Sequence, residues 1–380
     1  MTILFVTHYA GYYGANKSMV TLISLLREKY GVKPLVLLPS EGAVCQNLKE
    51  NNISYLVHHY YWWVNDNKGV FQYWLNKRKQ LKNIFKCRRI SKLLQGRKID
   101  LVYSNSVTIN IGMLFAKQLH VPHIWQFRES LSQFNFSLSL SLPVSMFLWN
   151  NQRNRKYILI SDFMMDYYRK YLPQDRMMRI YNGVDLPKGV SRTNPNVVLK
   201  RLKVAIVGVA CDKKNQMELL QAQALLKAKG VEIETYVIGT NKKEYLAQLE
   251  QYIAEHDLKE LVHLVGHTDD VFGVLQEMNL GVVCAKDEAF GRTTIEFMLM
   301  KMPVVVSDSG ANAELVRDGV DGMVYPFGNV SALADAIRNY VENPKLLEEH
   351  GKTAYEHARE NFSAEQNAEI IYKTINEIMR

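Results

Sequence analysis

TILFVTHYAGYYGANKSMVTLISLL, Thr2 to Leu26, sets the reading of the whole chain. Five residues of unbroken apolar and β-branched character are followed by a loop rich in glycine and tyrosine. Apolar residues then return at helical spacing, so the stretch reads as strand, glycine loop and helix, the first βα unit of a parallel sheet. Working outward, further strands follow at VKPLVLL, ISYLVHH, IDLVYSN, PHIWQF and KYILIS, with helical patterns between several of them. Alternation of this kind specifies α/β architecture.

The pattern lapses into Pro, Gly, Ser and Asn around LPKGVSRTNPNVVLK, Leu186 to Lys200, and restarts at LKVAIVGVA. VEIETYVIGT, LVHLVGH, LGVVCA, MPVVVSD and GMVYP continue it, and the chain ends in two helical stretches separated near Asn361. At 380 residues the chain is longer than one core usually serves. We therefore expect a first domain over 1–185, a linker over 186–200, a second domain over 201–360, and a terminal helix over 361–380 packing back on the first domain. The two doubly wound units are expected to face each other across a cleft, since open parallel sheets bind ligands beyond the carboxyl ends of their strands.

Composition is ordinary for a globular protein, with 47% hydrophobic and 22% charged residues. No signal-peptide order precedes the first strand, so a cytoplasmic location is expected. The apolar run Phe134 to Trp149 is too short and too broken by serines and Pro143 to span a membrane. Cys45, Cys87, Cys211 and Cys284 show no paired spacing of a zinc site.

The charge is unevenly placed. Residues 1–200 hold 28 Lys and Arg against 10 Asp and Glu, whereas residues 201–380 hold 19 against 28. From Lys68 to Lys98 there are eleven basic residues and no acidic one, with Phe71, Tyr73 and Trp74 among them and HHYYWWV just upstream. One reading is a solvated helix face over an aromatic core stripe. The other is a surface for anionic lipid, with aromatics at headgroup level. No nucleic-acid motif accompanies the charge, and nucleic acid is not expected as a partner.

Chemistry concentrates between Cys284 and Tyr325, CAKDEAFGRTTIEFMLMKMPVVVSDSGANAELVRDGVDGMVY. A strand ends at an acidic loop, Gly291 permits close backbone approach, and a helix begins near Thr293. Its free N–H groups suit a diphosphate. Glu288 and Glu296 flank the turn, and a carboxylate accepts from the neighbouring hydroxyls of a sugar but not from phosphate oxygens. Thr293 with Glu296 also matches a capping box, which would explain that glutamate by helix stability alone.

With those residues in view, the sequence resembles the retaining glycosyltransferases of family 4, which have the GT-B fold of two Rossmann-like domains. EAFGRTTIE matches the family's pair of glutamates with seven residues between them, and P-V-V and SGANAELV follow it. VHLVGHTDDVFGVLQEMNLGVV, IYNGVD and GANKSMV extend the likeness over nearly the whole chain, weakly in residues 50–100. The resemblance implies that Glu296 holds the donor ribose, that Glu288 meets the hydroxyls of the transferred sugar, and that Gly291, Arg292, Thr293 and Thr294 bind the diphosphate. It implies that Lys214, in KKNQ, neutralises the leaving group, with Gly14, Gly208, Lys213, Gly266 and His267 also on the donor.

Two positions depart from the family pattern. Val209 stands where an arginine is common, five residues before Lys214, so Arg292 or Lys213 is the candidate substitute. Arg128, followed by Glu129, stands where many members have a catalytic histidine, so the pair looks like a variant of that site, with Arg128 as the catalytic candidate beside Lys214 and Glu288. The resemblance implies a nucleotide-sugar donor, with uridine the commonest base, and a saccharide acceptor, lipid-linked in cell-surface polysaccharide synthesis. It implies retention of configuration and no metal or other cofactor, in keeping with the lack of a D-x-D pair. The rival readings are a dehydrogenase, which lacks its G-x-G-x-x-G fingerprint here, a nucleotide-sugar epimerase, and an inactive glycosyltransferase-like partner in an assembly complex.

Overall fold

A computed structural model of the chain describes residues 1–65, 69–94, 96–131, 137–138, 155–187, 189–190, 201–240 and 242–380. The apolar run from Phe134 falls outside these except at Ser137–Leu138. So do Lys68 and the linker residues 191–200. The chain divides into two compact units, one of residues 1–183 with 364–380, the other of residues 184–363.

In the first unit the strands are β1 Thr2–Val6, β2 Lys33–Leu38, β3 Ser54–Val57, β4 Val64–Asn65, β5 Leu101–Ser104, β6 His123–Phe127, β7 Ser137–Leu138, β8 Arg155–Leu159 and β9 Met177–Arg179. Seven of them form one parallel sheet in the order β3-β2-β1-β5-β6-β8-β9, and β4 and β7 make a small antiparallel pair. The strands are parallel because helices return the chain across the sheet faces: α1 Gly14–Tyr30, α2 Ala43–Glu50, α3 Gly69–Leu93, α4 Ile111–Leu119 and α5 Asp162–Tyr168. Alternate residues of β1 serve opposite layers, as the two-residue period of a strand requires. Ile3 and Phe5 pack in one apolar cluster with Met19, Ile23 and Leu26 of α1. Leu4 and Val6 pack in another with Ile90 of α3 and Phe115 of α4.

The second unit repeats the scheme with β10 Leu202–Val207, β11 Ile233–Ile238, β12 Val262–Gly266, β13 Leu280–Val283, β14 Val304–Ser307 and β15 Gly322–Tyr325. Their order is β12-β11-β10-β13-β14-β15, all parallel. The helices are α6 Gln216–Ala228, α7 Lys243–Glu255, α8 Val271–Gln276, α9 Arg292–Leu299, α10 Asn312–Leu315, α11 Val330–Glu342 and α12 Lys345–Asn361. A core of Val204, Ile206, Leu219, Leu226, Leu249, Leu333 and Ile337 joins sheet to helices. Outside it, Arg317 and His357 both bond the fully buried Asp321, at 2.5 Å and 2.7 Å, and hold its carboxyl well below the usual range.

The last helix, α13 Ala364–Met379, belongs to the first unit. Ala368, Ile371 and Ile375 complete the apolar cluster over α1. Tyr372 stacks on Tyr30 with ring centroids 4.0 Å apart. Gly183 packs directly on the backbone of Ala364, where any side chain would clash. In both units the first two strands to reverse order, β1/β5 and β10/β13, mark a switch point, the place where open α/β sheets gather ligands.

Candidate functional site

In the second unit the loops leaving β10 and β13 lie side by side because those strands are hydrogen-bonded neighbours. The Lys286 N–H donates to the Lys213 carbonyl at 2.8 Å and ties one loop to the other. Asn215 takes a left-handed backbone at φ 51° and turns the chain sharply into α6, and its side chain donates to Glu218 at 2.6 Å. The turn presents the preceding lysine inward. Lys214 Nζ reaches Glu288 Oε2 at 2.6 Å, with both side chains partly exposed at 32% and 18%. Lys213 sits beside it, where burial lowers its pKa and the facing Asp287 acts the other way.

Glu288 is fixed by its backbone. Its carbonyl accepts from the Ala311 N–H at 2.7 Å, and Ser309 accepts from the Asp287 N–H at 2.8 Å. Gly310, at φ 73°, lies against the Glu288 main chain where a Cβ would clash. The SGAN turn after β14 is therefore the bed on which the acidic loop rests.

The helix itself starts at Arg292, one residue before the sequence suggests, and the capping box does not form. Gly291, at φ 92°, is the N-cap, and no side chain caps the helix. A Cβ there would lie 2.6 Å from the Asn312 amide oxygen, so the left-handed turn and the close approach both require glycine. Thr293 is consequently the second helical residue. Glu296 instead accepts from Arg292 Nε at 2.8 Å, an ion pair one turn apart. The first turn of α9 presents its N–H groups and the positive end of its dipole at the carboxyl ends of the strands.

Gly208 follows β10 and Gly266 ends β12, and the Gly208 N–H donates to the Ile238 carbonyl at 2.9 Å. Lys214 packs across Gly208. His267 is largely exposed, 3.5 Å from Asp269. Val209 is 43% exposed and brings no cation. The structure thus brings together Lys214, Lys213, Glu288, Gly291, Arg292, Thr293, Thr294 and Glu296, while His267 stands with its own acidic partner. Asn312 was not singled out by sequence reasoning. It is fully buried, accepts from Thr294 Oγ1 at 3.2 Å, and its amide nitrogen has no hydrogen-bond partner among the described residues.

Gly14 opens α1 in the first unit. Arg128 lies there too, beyond the end of β6, and is 7% exposed. Its Nε donates to Asn105 at 2.6 Å, Nη1 to Asn182 at 2.6 Å and Nη2 to Gln126 at 2.7 Å. Glu129 accepts from Ser106 Oγ at 3.0 Å, and burial pushes its carboxyl up to about 7. His8, beyond the end of β1, faces Glu129 at 3.6 Å. Burial and the Arg128 charge push its imidazole down to about 3. His8 was also missed, since a lone histidine after a first strand carries no signature.

Among the described residues no three His, Cys, Asp or Glu side chains gather as metal ligands, and no helix is long and apolar enough to cross a membrane.

The family described as Glycosyltransferase Family 4 matches residues 13–188, and Glycosyl transferases group 1 matches residues 190–357. The lipopolysaccharide core biosynthesis mannosyltransferase LpcC of Rhizobium leguminosarum bv. viciae is 32% identical over 38% of this chain. That alignment takes in 42% of the relative, so the chain spans less than half of its length. The uncharacterized glycosyltransferase MJ1178 of Methanocaldococcus jannaschii is 23% identical over 75% of this chain and 78% of its own length. In fold, the chain is similar to the crystal structure of Anabaena Alr3699/HepE in complex with UDP, with a TM-score of 0.82, 21% identity, and 99% of this chain and 100% of that chain covered. The chain belongs to the family 4 glycosyltransferases and has their GT-B fold of two Rossmann-like units.

Proposed function

We propose that the protein transfers a hexosyl group, with retention, from a uridine diphosphate sugar to a saccharide acceptor, lipid-linked, in cell-surface polysaccharide or lipopolysaccharide synthesis in the cytoplasm. One observation carries the reading: Lys214 and Glu288, 2.6 Å apart, stand at the switch point of the second sheet beside the uncapped start of α9. Lys214 is the leaving-group cation. The first N–H groups of α9 hold the diphosphate, Glu296 accepts from the ribose hydroxyls, and Glu288 accepts from the hydroxyls of the transferred sugar.

In the transfer, the bond from the anomeric carbon to the phosphate oxygen breaks and its electron pair stays on the diphosphate. The acceptor oxygen bonds the anomeric carbon, and its proton leaves with the diphosphate. Lys214 must exchange Glu288 for phosphate when the donor arrives, which frees Glu288 for the sugar. Lys213 and Arg292 add positive charge in place of the missing arginine at Val209, and no divalent ion enters the scheme. Fixed donors of this kind are each worth on the order of 10² in rate.

Arg128 has a positioning role in this reading. Its three bonds to side-chain oxygens hold the ends of β5 and β6 and the Asn182 loop in one arrangement. Uridine is supported by a structural neighbour in complex with UDP-glucose, and the lipopolysaccharide assignment by the relative LpcC. The test is incubation of the purified chain in EDTA with UDP-sugars and a lipid-linked saccharide, following nucleoside diphosphate release and the anomeric configuration of the product. Release coupled to an α-linked product supports the reading for an α-linked donor. Isomerised donor without transfer marks an epimerase, and no turnover of any donor marks an inactive partner.

A further inference from the structure

Glu218 stands in the first turn of α6 and is only 2% exposed, although glutamate is rarely buried unless something holds its carboxylate. Attraction to the positive end of the helix is the plain explanation for an acid there. That attraction is weak, and it does not offset the loss of water around a buried charge. Nor do Asn215 and Glu218 form a capping box, although their spacing fits one. The Asn215 side chain caps no backbone group of α6, and its own N–H goes to the Cys211 carbonyl at 2.9 Å rather than to Glu218.

The carboxylate instead joins two loops. Oε1 accepts from the Gly328 N–H at 2.8 Å, 110 residues along the chain in the turn between β15 and α11. Oε2 accepts from the Asn215 side-chain amide at 2.6 Å, and the Glu218 N–H donates back to the Asn215 carbonyl at 3.1 Å. Asn215 is thus gripped at both its side chain and its main chain. Burial raises the Glu218 carboxyl above its ordinary value, and the Gly328 N–H acts the other way.

The grip matters for the residue just before Asn215. Asn215 has φ 51° and ψ 45°, a left-handed conformation that costs any residue with a Cβ and that asparagine tolerates with help from its side chain. The N–H groups of Lys214 and Asn215 both donate to the Cys211 carbonyl at 2.9 Å, so the two residues turn together. A lysine is a point charge on a flexible four-carbon stem and carries little rigidity of its own. The direction in which the Lys214 stem leaves the chain, across Gly208 and toward Glu288, is therefore set by the turn that Glu218 holds.

We propose that Glu218 is a positioning residue for Lys214. By tying the left-handed Asn215 to the turn after β15, it aims the ammonium at the phosphates of the donor. The proposal rests on Lys214 being the leaving-group cation. It requires Glu218 as an acceptor of hydrogen bonds rather than as a charge near the ligand.

The test is isothermal titration of UDP into the full chain as wild type, Lys214→Ala, Glu218→Ala, Asn215→Gly, Glu218→Gln and the double variant Lys214→Ala with Glu218→Ala, each with a thermal melt. Glu218→Ala should bind UDP about fivefold or more weakly, the scale of coupling between residues in one hydrogen-bond network. Asn215→Gly keeps the left-handed turn without strain and loses only the amide, so it should share the defect even if Glu218→Ala does not fold. Glu218→Gln should recover most of the affinity, because its oxygen can accept from Gly328 while the Asn215 amide turns over to accept from its nitrogen. In the Lys214→Ala background, Glu218→Ala should weaken binding no further.

Wild-type affinity in Asn215→Gly or Glu218→Ala, with Lys214→Ala impaired, would overturn the proposal and leave the transferase reading standing. Additive losses in the double variant would overturn it too, since Glu218 would then act on something other than Lys214. So would a Glu218→Gln variant as weak as Glu218→Ala. Wild-type affinity in Lys214→Ala would instead remove the reading of Lys214, and the proposal with it.

Discussion

The two switch points are built from similar charges and put them to opposite use. Beyond β1, β5 and β6, Arg128, Glu129 and His8 are all buried, and the guanidinium is held by three side-chain oxygens. Burial drives the carboxyl and the imidazole toward their neutral forms. Beyond β10 and β13, Lys214 with Glu288 and Arg292 with Glu296 are paired but partly exposed. Charges locked inside a buried network define a shape. Charges paired at the surface can trade partners with a ligand at small cost, because exposed pairs are worth only about 0–1 kcal/mol. On this ground we propose the first switch point as a scaffold and the second as the binding site.

The sharpest way to break this contrast is to remove one cation from each side. Lys214→Ala should lower the turnover number by about 100-fold or more and leave the melting temperature nearly unchanged, read by steady-state kinetics and a thermal melt. Arg128→Met should do the reverse in kind. Removing the guanidinium takes the donor from the Asn105 oxygen and a charged donor from the Gln126 and Asn182 oxygens, which keep Tyr103 Oη and Gln126 Nε2 as donors. At roughly 1.5 to 3 kcal/mol for a hydrogen bond to a charged group, the loss should be about 3 kcal/mol or more in denaturant unfolding. If Arg128→Met unfolds like the wild type yet abolishes turnover, the scaffold assignment fails.

Next in size, Glu296→Ala should raise the donor KM by about tenfold, since a hydrogen bond to a charged group is worth roughly 1.5 to 3 kcal/mol. A normal KM would return Glu296 to a helix-stabilising role through Arg292.

The smallest effect is the most diagnostic of burial. Glu129 titrates at about 7 in the folded chain against 4.5 as its ordinary value. Its contribution is fully present below the ordinary value and is lost as pH rises through about 7. His8, at about 3 against 6.5, contributes above its ordinary value and loses that as pH falls. Glu129→Gln removes the first dependence only. Its melting temperature relative to the wild type should therefore climb between about pH 5 and about pH 8. A difference that stays flat with pH would place Glu129 in contact with water.

Much of this was legible in the sequence, for identifiable reasons. The strands read correctly because buried parallel strands are continuous apolar runs, and TILFV and LKVAIV are among the plainest. The proposed binding loop was visible in the sequence because Glu288, Gly291, Arg292 and Glu296 lie within nine consecutive residues. What stayed hidden depends on segments far apart in the chain. The bond from Lys286 to Lys213 joins loops more than seventy residues apart, and Arg128 finds Asn182 from 54 positions away. The capping box misled because Thr-x-x-Glu spacing is blind to backbone conformation, and the left-handed Gly291 moved the helix start to Arg292.

The central claim is that the second switch point holds a nucleoside diphosphate through Lys214 and the start of α9 without a metal. Isothermal titration of UDP, with GDP and ADP alongside, into wild type and Lys214→Ala in EDTA tests it most directly. The account predicts saturable binding of UDP by the wild type and at least about tenfold weaker binding by the variant, as expected for loss of a bond between charged groups. UDP binding that needs a divalent cation, or that is unaffected by the loss of Lys214, would contradict it.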